Sequence, residues 1–81
     1  MTLHFIFWSY FAEVAGMKET EIEVPEGATL DEALEVFYTH FPPFKALKNS
    51  TLVAVGVEYS LPTQLLRPKD SVSLFPPVSG G

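Results

Sequence analysis

An α+β fold, with one main helix packed on one face of a mixed sheet, is what this 81-residue sequence predicts. Three observations carry that expectation. Glu19-Thr20-Glu21-Ile22-Glu23-Val24 alternates polar and apolar residues with the period of two shown by a half-buried strand. Leu30, Ala33, Leu34, Phe37 and Phe41 recur at helical spacing behind a capping box made by Thr29 and Glu32. Strand-like runs stand on both sides of that helix, so the element order reads ββαββ.

Taken in order, Leu3-His4-Phe5-Ile6-Phe7-Trp8 is rich in β formers and apolar on both faces, which suits a central strand. The apolar stretch continues to Val14 and reads as a buried strand running into a turn. No Lys or Arg precedes it, Ser9 and Glu13 interrupt it, and it is too short to span a bilayer, so neither a signal peptide nor a membrane partner is expected. Gly16 marks the bend into the Glu19–Val24 strand, making an antiparallel hairpin in which Thr20, Ile22 and Val24 face inward and three glutamates face water. Pro25-Glu26-Gly27 ends that strand. Asp31 and Glu32 suit the positive end of the helix that follows. Pro42-Pro43 stops the helix, and Phe44 and Leu47 pack under the next loop. Leu52-Val53-Ala54-Val55-Gly56-Val57 is a further buried strand turning near Gly56, with Glu58-Tyr59-Ser60-Leu61 as a short partner. Arg67-Pro68-Lys69-Asp70 is a turn, and Ser71-Val72-Ser73-Leu74-Phe75 is the last strand. A short chain of this order fits the β-grasp, or ubiquitin-like, fold.

If Val72 and Leu74 point to the helix, alternation puts Phe75 on the opposite face with Ser71 and Ser73. On the first strand Ile6 and Trp8 oppose Phe5 and Phe7 in the same way. A single sheet with a helix on one side leaves its other face open. Ile6, Trp8 and Phe75 are therefore expected to form an exposed apolar patch for docking a partner. A register shift of one residue would swap the two faces.

Composition narrows the function classes. Hydrophobic residues make up 47% of the chain, enough for one core without covalent staples. There is no cysteine, hence no disulfide framework, thiolate metal site or cysteine nucleophile, and the cytoplasm is the expected compartment. Net charge is −5 with only five scattered Lys and Arg, which argues against a nucleic-acid partner. His4 and His40 stand far apart with no ligand or triad spacing. His4 reads as a strand residue, His40 as a helix-end residue, and the three glutamates as a solvated edge, so no metal site is expected.

Residues 1–75 form the expected folded domain and 76–81 a flexible tail. Pro76 and Pro77 fix φ and lack amide donors, which favours an extended neck. Val78 and Ser79 follow, and Gly80-Gly81 ends the sequence with no Cβ to widen it. From Pro76 to Gly81 the chain reaches about 20 Å at ~3.3 Å per residue. Such a tail can thread a narrow channel and present its terminal carboxylate to an active site.

The run Asp70-Ser71-Val72-Ser73-Leu74-Phe75-Pro76-Pro77-Val78-Ser79-Gly80-Gly81 closely resembles the end of the small subunits of molybdopterin synthases, a family of ubiquitin-like sulfur carriers. Weaker likeness covers the first strand, Glu13-Val14-Ala15-Gly16, Pro25-Glu26-Gly27-Ala28-Thr29 and Val53-Ala54-Val55. The resemblance implies that an E1-like enzyme uses ATP to adenylate the Gly81 carboxylate, and that sulfur then replaces AMP to give a thiocarboxylate. It implies that the tail enters the large subunit of molybdopterin synthase and donates sulfur to cyclic pyranopterin monophosphate, within a heterotetramer of two carriers and two large subunits. The carrier itself would hold no cofactor tightly and would not be an enzyme alone. Three positions depart from the family pattern: Ala12 where many relatives have Arg, Gly56 where Asn is frequent, and Lys69 where a Gly-Asp turn is usual. Lys tolerates positive φ poorly, so that turn is expected to be built differently. Carriers for thiamine or tRNA thiolation share the Gly-Gly end, as do ubiquitin-like modifiers joined to lysines.

Overall fold

The computed structural model describes residues 1–56, 58–59 and 61–77. Strand β1 spans Thr2–Phe7, helix α1 Phe11–Ala15, strand β2 Glu19–Glu23, helix α2 Leu30–His40 and helix α3 Pro42–Ala46. A 3-10 turn at Lys48–Ser50 leads to β3 Leu52–Val55, β4 Glu58–Tyr59 and β5 Ser71–Phe75. The sheet order is β2-β1-β5-β3-β4. β1 and β5 pair in parallel and the other neighbours antiparallel, so the sheet is mixed. This is the β-grasp architecture, with α2 as its main helix.

Register decides which face each side chain takes. Phe5 lies beside Thr20 on β2 and Val72 on β5, and Phe7 lies beside Leu74. Leu3, Phe5, Phe7, Ile22, Val72 and Leu74 are all buried, and with Leu30, Ala33 and Phe37 of α2 they form the core. Aromatic rings dominate it. Phe5 stacks on Phe37 at 4.9 Å, and Phe7 touches Phe37, Phe41 and Phe44 at 5.3–5.8 Å. Aromatic pairs at such distances add ~0.5–1.5 kcal/mol beyond area burial.

The start of α2 is fully capped. Thr29 accepts from the Glu32 amide at 3.2 Å, and the Glu32 carboxylate accepts from the Thr29 amide at 2.9 Å, completing the expected capping box. The segment after β4 supplies the remaining acceptors. The Leu30 amide donates to the Gln64 carbonyl at 2.8 Å and the Asp31 amide to the Pro62 carbonyl at 2.9 Å. Amides that an isolated helix would leave to solvent are thus tied to a distant stretch of chain.

Four local expectations are corrected. Residues after Trp8 do not run into a simple turn: Phe11–Ala15 is a helix. Phe11 drives it, buried against Phe44 in an edge-to-face contact at 5.1 Å. Gly16, at φ +77°, closes that helix in the left-handed conformation and donates to the Ala12 carbonyl. Pro42-Pro43 ends α2 as predicted but also opens α3, with Pro42 at the first helical position where its missing amide costs nothing. Lys69 adopts φ +71° after all. The Arg67 amide donates to the Asp70 carboxylate at 2.8 Å and the Lys69 amide to the Thr2 carbonyl at 3.0 Å, and these bonds hold the turn closed. Finally, β3 is not buried throughout: Leu52 is exposed.

Candidate functional site

Opposite α2 the sheet presents a second face. Its rows follow from the pairing: Glu19, Ile6, Ser73 and Ala54 lie side by side across β2, β1, β5 and β3, and Phe75 lies beside Leu52. One residue past β1, Trp8 donates its amide to the Leu74 carbonyl at 3.1 Å, which continues the parallel ladder to the end of β5. The Trp8 and Phe75 rings stack, with centroids 5.6 Å apart and planes 11° from parallel.

Six of the seven phenylalanines pack on the helix side of the sheet; the seventh, Phe75, does not. Trp8 is 47% exposed and Leu52 39%, while Ile6 and Phe75 are partly exposed. Ile6, Trp8 and Phe75 are thus brought together on one face, as the alternation predicted. Ser73 joins them but is buried between its neighbours. A cleft of about 350 Å³ opens beside Ile6 and Trp8, bounded by Ala12 and Glu19. A fixed apolar surface of this kind can exclude water against a complementary surface.

Two features of the face were not read from sequence. Leu52 extends the patch across β3; the period of two with Val53 and Val55 inward carried that information, but the uniformly apolar run concealed it. His4 is not an isolated strand residue, since its Nε2 lies 3.3 Å from a Glu19 carboxylate oxygen. Thr2, His4, Glu21 and Glu23 make the far end of the face polar, and the Met1 ammonium lies 3.9 Å from Glu23. The face therefore grades from apolar beside Phe75 to charged along β2.

Phe75 leads directly into Pro76, which is partly buried, and Pro77, which is exposed. Val78, Ser79, Gly80 and Gly81 lie outside the described residues. Among the described residues no three His, Cys, Asp or Glu side chains converge as a metal site, and no helix is long and apolar enough to cross a membrane. His40 closes α2, its Nδ1 3.1 Å from the Val36 carbonyl. Tyr38, also on α2, has its phenol pKa raised above the ordinary 10.0 by burial and by the nearby charges of Glu35 and Asp31.

Comparison with known proteins places this geometry. The model of the ThiS family matches residues 7–81. The human molybdopterin synthase sulfur carrier subunit is 30% identical over 79 residues, covering 94% of this chain and 90% of the relative. The crystal structure of SAMP1 from Haloferax volcanii superposes with a TM-score of 0.90 at 25% identity over the whole of both chains. A putative molybdopterin converting factor subunit 1 from Pyrococcus furiosus superposes with a TM-score of 0.87 at 28% identity, covering 96% of this chain and 99% of the other.

Proposed function

The chain belongs to the ThiS family of ubiquitin-like sulfur carriers, and from that premise we propose that it is the sulfur-carrying subunit of a molybdopterin synthase in the cytoplasm. The observation that carries this reading is the stacked Trp8–Phe75 pair, exposed on the open sheet face at the root of the Pro76-Pro77 neck. A docking surface and a narrow tail are contiguous, so binding a partner through the face delivers the tail to that partner. The human relative's name favours molybdopterin synthase within the family.

In this reading Gly81 is the reacting residue. Its carboxylate is a poor electrophile. An E1-like enzyme joins it to AMP from ATP, releasing pyrophosphate, and a sulfur nucleophile then attacks the acyl carbon as AMP leaves. The thiocarboxylate so formed enters the large subunit of the synthase and gives its sulfur to cyclic pyranopterin monophosphate. Two carriers and two large subunits make the complete enzyme. No side chain of the carrier acts as acid, base or ligand in these steps. Ile6, Trp8 and Phe75 dock; Pro76, Pro77, Val78 and Ser79 extend the tail; Gly80 keeps it narrow near the reacting carbon.

A second reading is attachment to lysines as a protein modifier, favoured by the 0.90 TM-score against SAMP1, which a further solved structure names a small archaeal modifier protein. Intact mass spectrometry of the protein from cells making molybdenum cofactor separates the two. Exchange of one oxygen for sulfur at the terminus is the expected result. Persistent lysine adducts with no such exchange would overturn the carrier reading.

A further inference from the structure

We infer that Trp8 is a positioning residue: by stacking on Phe75 it sets the direction in which Pro76 and Pro77 leave the sheet, and so the path of the tail. The inference rests on the carrier reading for its functional consequence, but its structural basis is independent of it.

Trp8 is held from both sides by its main chain. Its amide donates to the Leu74 carbonyl, and its own carbonyl accepts from the Phe11 amide, each at 3.1 Å. Ser9, the next residue, adopts φ +55°, a left-handed conformation uncommon outside glycine. Such conformations persist where surrounding structure over-determines them. Here the turn folds the chain back into α1 immediately after Trp8, which fixes where the indole can lie. In the core Phe7, Phe37, Phe41 and Phe44 each touch several other phenylalanines. Among the described residues, Phe75 has one aromatic neighbour, Trp8. Beyond its cross-strand pairing with Leu52, the Phe75 ring at the open face is oriented by that one stack.

Orientation at Phe75 is transmitted forward because the next two residues are prolines. Both have φ fixed near −65°, so the neck does not absorb a change of direction as a flexible linker would. A tilt of about 10° at the root of the two-proline neck, about 7 Å long, moves its end by roughly 1 Å. Misplacement of about 1 Å in a reacting group can cost up to ~10²-fold in rate. Docking affinity and tail direction are thus separable contributions of the same face. Ile6 contributes to the first; Trp8 contributes to both.

The experiment compares Trp8→Leu, Trp8→Phe and Ile6→Ala with the wild type, each thiocarboxylated and assayed with a molybdopterin synthase large subunit and cyclic pyranopterin monophosphate. Trp8→Leu is expected to lower kcat at saturating carrier about three- to tenfold, in proportion to the loss of one aromatic stack. Trp8→Phe restores most of it, while Ile6→Ala raises KM. In the free protein, ¹⁵N relaxation at the Phe75 amide reports the same contact without any partner: order falls in Trp8→Leu and is kept in Trp8→Phe and Ile6→Ala. Wild-type kcat for Trp8→Leu, or an unchanged Phe75 amide, overturns the inference. If the wild-type protein itself transfers no sulfur, the carrier reading fails, and the Phe75 measurement alone decides whether Trp8 holds the neck.

Discussion

Two residues show how far a single position can be read. Phe75 was legible, because period-2 alternation needs only Val72 and Leu74 to point inward, and both are buried. Phe75→Ala is expected to weaken partner binding by at least ~2 kcal/mol, as truncated aromatic anchors do. Its cost in unfolding free energy should stay well below the ~3–5 kcal/mol expected for Phe37→Ala in the aromatic core. Calorimetric affinity and urea denaturation of the two variants check this; a core-like stability loss at Phe75 with unchanged affinity would contradict the assignment of faces. Lys69 was not legible. Its side chain disfavours positive φ, yet the residue adopts φ +71° because the Arg67–Asp70 bonds and the Lys69–Thr2 bond outweigh the local preference. Some strain remains there, since left-handed backbone costs an L-residue ~1–2 kcal/mol. Lys69→Gly removes it against a smaller loss of chain entropy and is expected to raise stability by about 0.5–1 kcal/mol, whereas Lys69→Val lowers it by more. Urea midpoints decide between these outcomes.

Among elements, what the sequence disclosed was whatever carries its own periodicity or cap. α2 was readable because eleven residues display a full apolar stripe and Thr29 and Glu32 mark its start. α1 and α3 have five residues each, too few to show a helical period. Their cause is tertiary: Phe11 and Phe44 meet edge-to-face over the core and hold both turns in place. The same limit hid the clamp on α2, since nothing near Pro62 or Gln64 announces that their carbonyls will cap the helix that begins at Leu30. Thr29→Ala is expected to cost about 1 kcal/mol by removing the side-chain acceptor of the capping box, measurable as a lower melting temperature with unchanged helical signal before the transition. Tyr38 gives α2 a pH dependence. Its phenol is held protonated in the fold, with its pKa raised by burial and then by the charges of Glu35 and Asp31. A raised folded-state value means the contribution to stability is intact below about pH 10 and is lost as pH rises through that value. Wild type is expected to lose stability relative to Tyr38→Phe above pH 10 and to follow the same pH profile below it.

For the whole molecule the sheet divides two tasks between its faces. One face closes over α2 with fourteen buried apolar residues and accounts for folding. The other carries Ile6, Trp8, Leu52 and Phe75 and hands the chain to Pro76 and Pro77. This separation makes the tail testable apart from the fold. Deleting Gly81 is expected to abolish sulfur transfer and leave the melting temperature unchanged, because among the described residues the core ends at Leu74. Within the tail, Gly80→Val is expected to block transfer more severely than Ser79→Ala. At position 80 the argument is steric: a β-branched side chain widens the tail beside the reacting carbonyl and restricts its backbone. At position 79 only one hydroxyl is lost, and a single neutral hydrogen bond is worth ~0.5–1.5 kcal/mol. That is at most about tenfold in rate. A branched side chain that does not fit excludes the tail altogether, and raising the carrier concentration would not rescue it. Steady-state transfer at saturating large subunit, with each variant thiocarboxylated beforehand, isolates this step from activation by the E1-like enzyme. Wild-type turnover by Gly80→Val would show that the tail does not thread a narrow channel, leaving the docking face as the one functional surface of the chain.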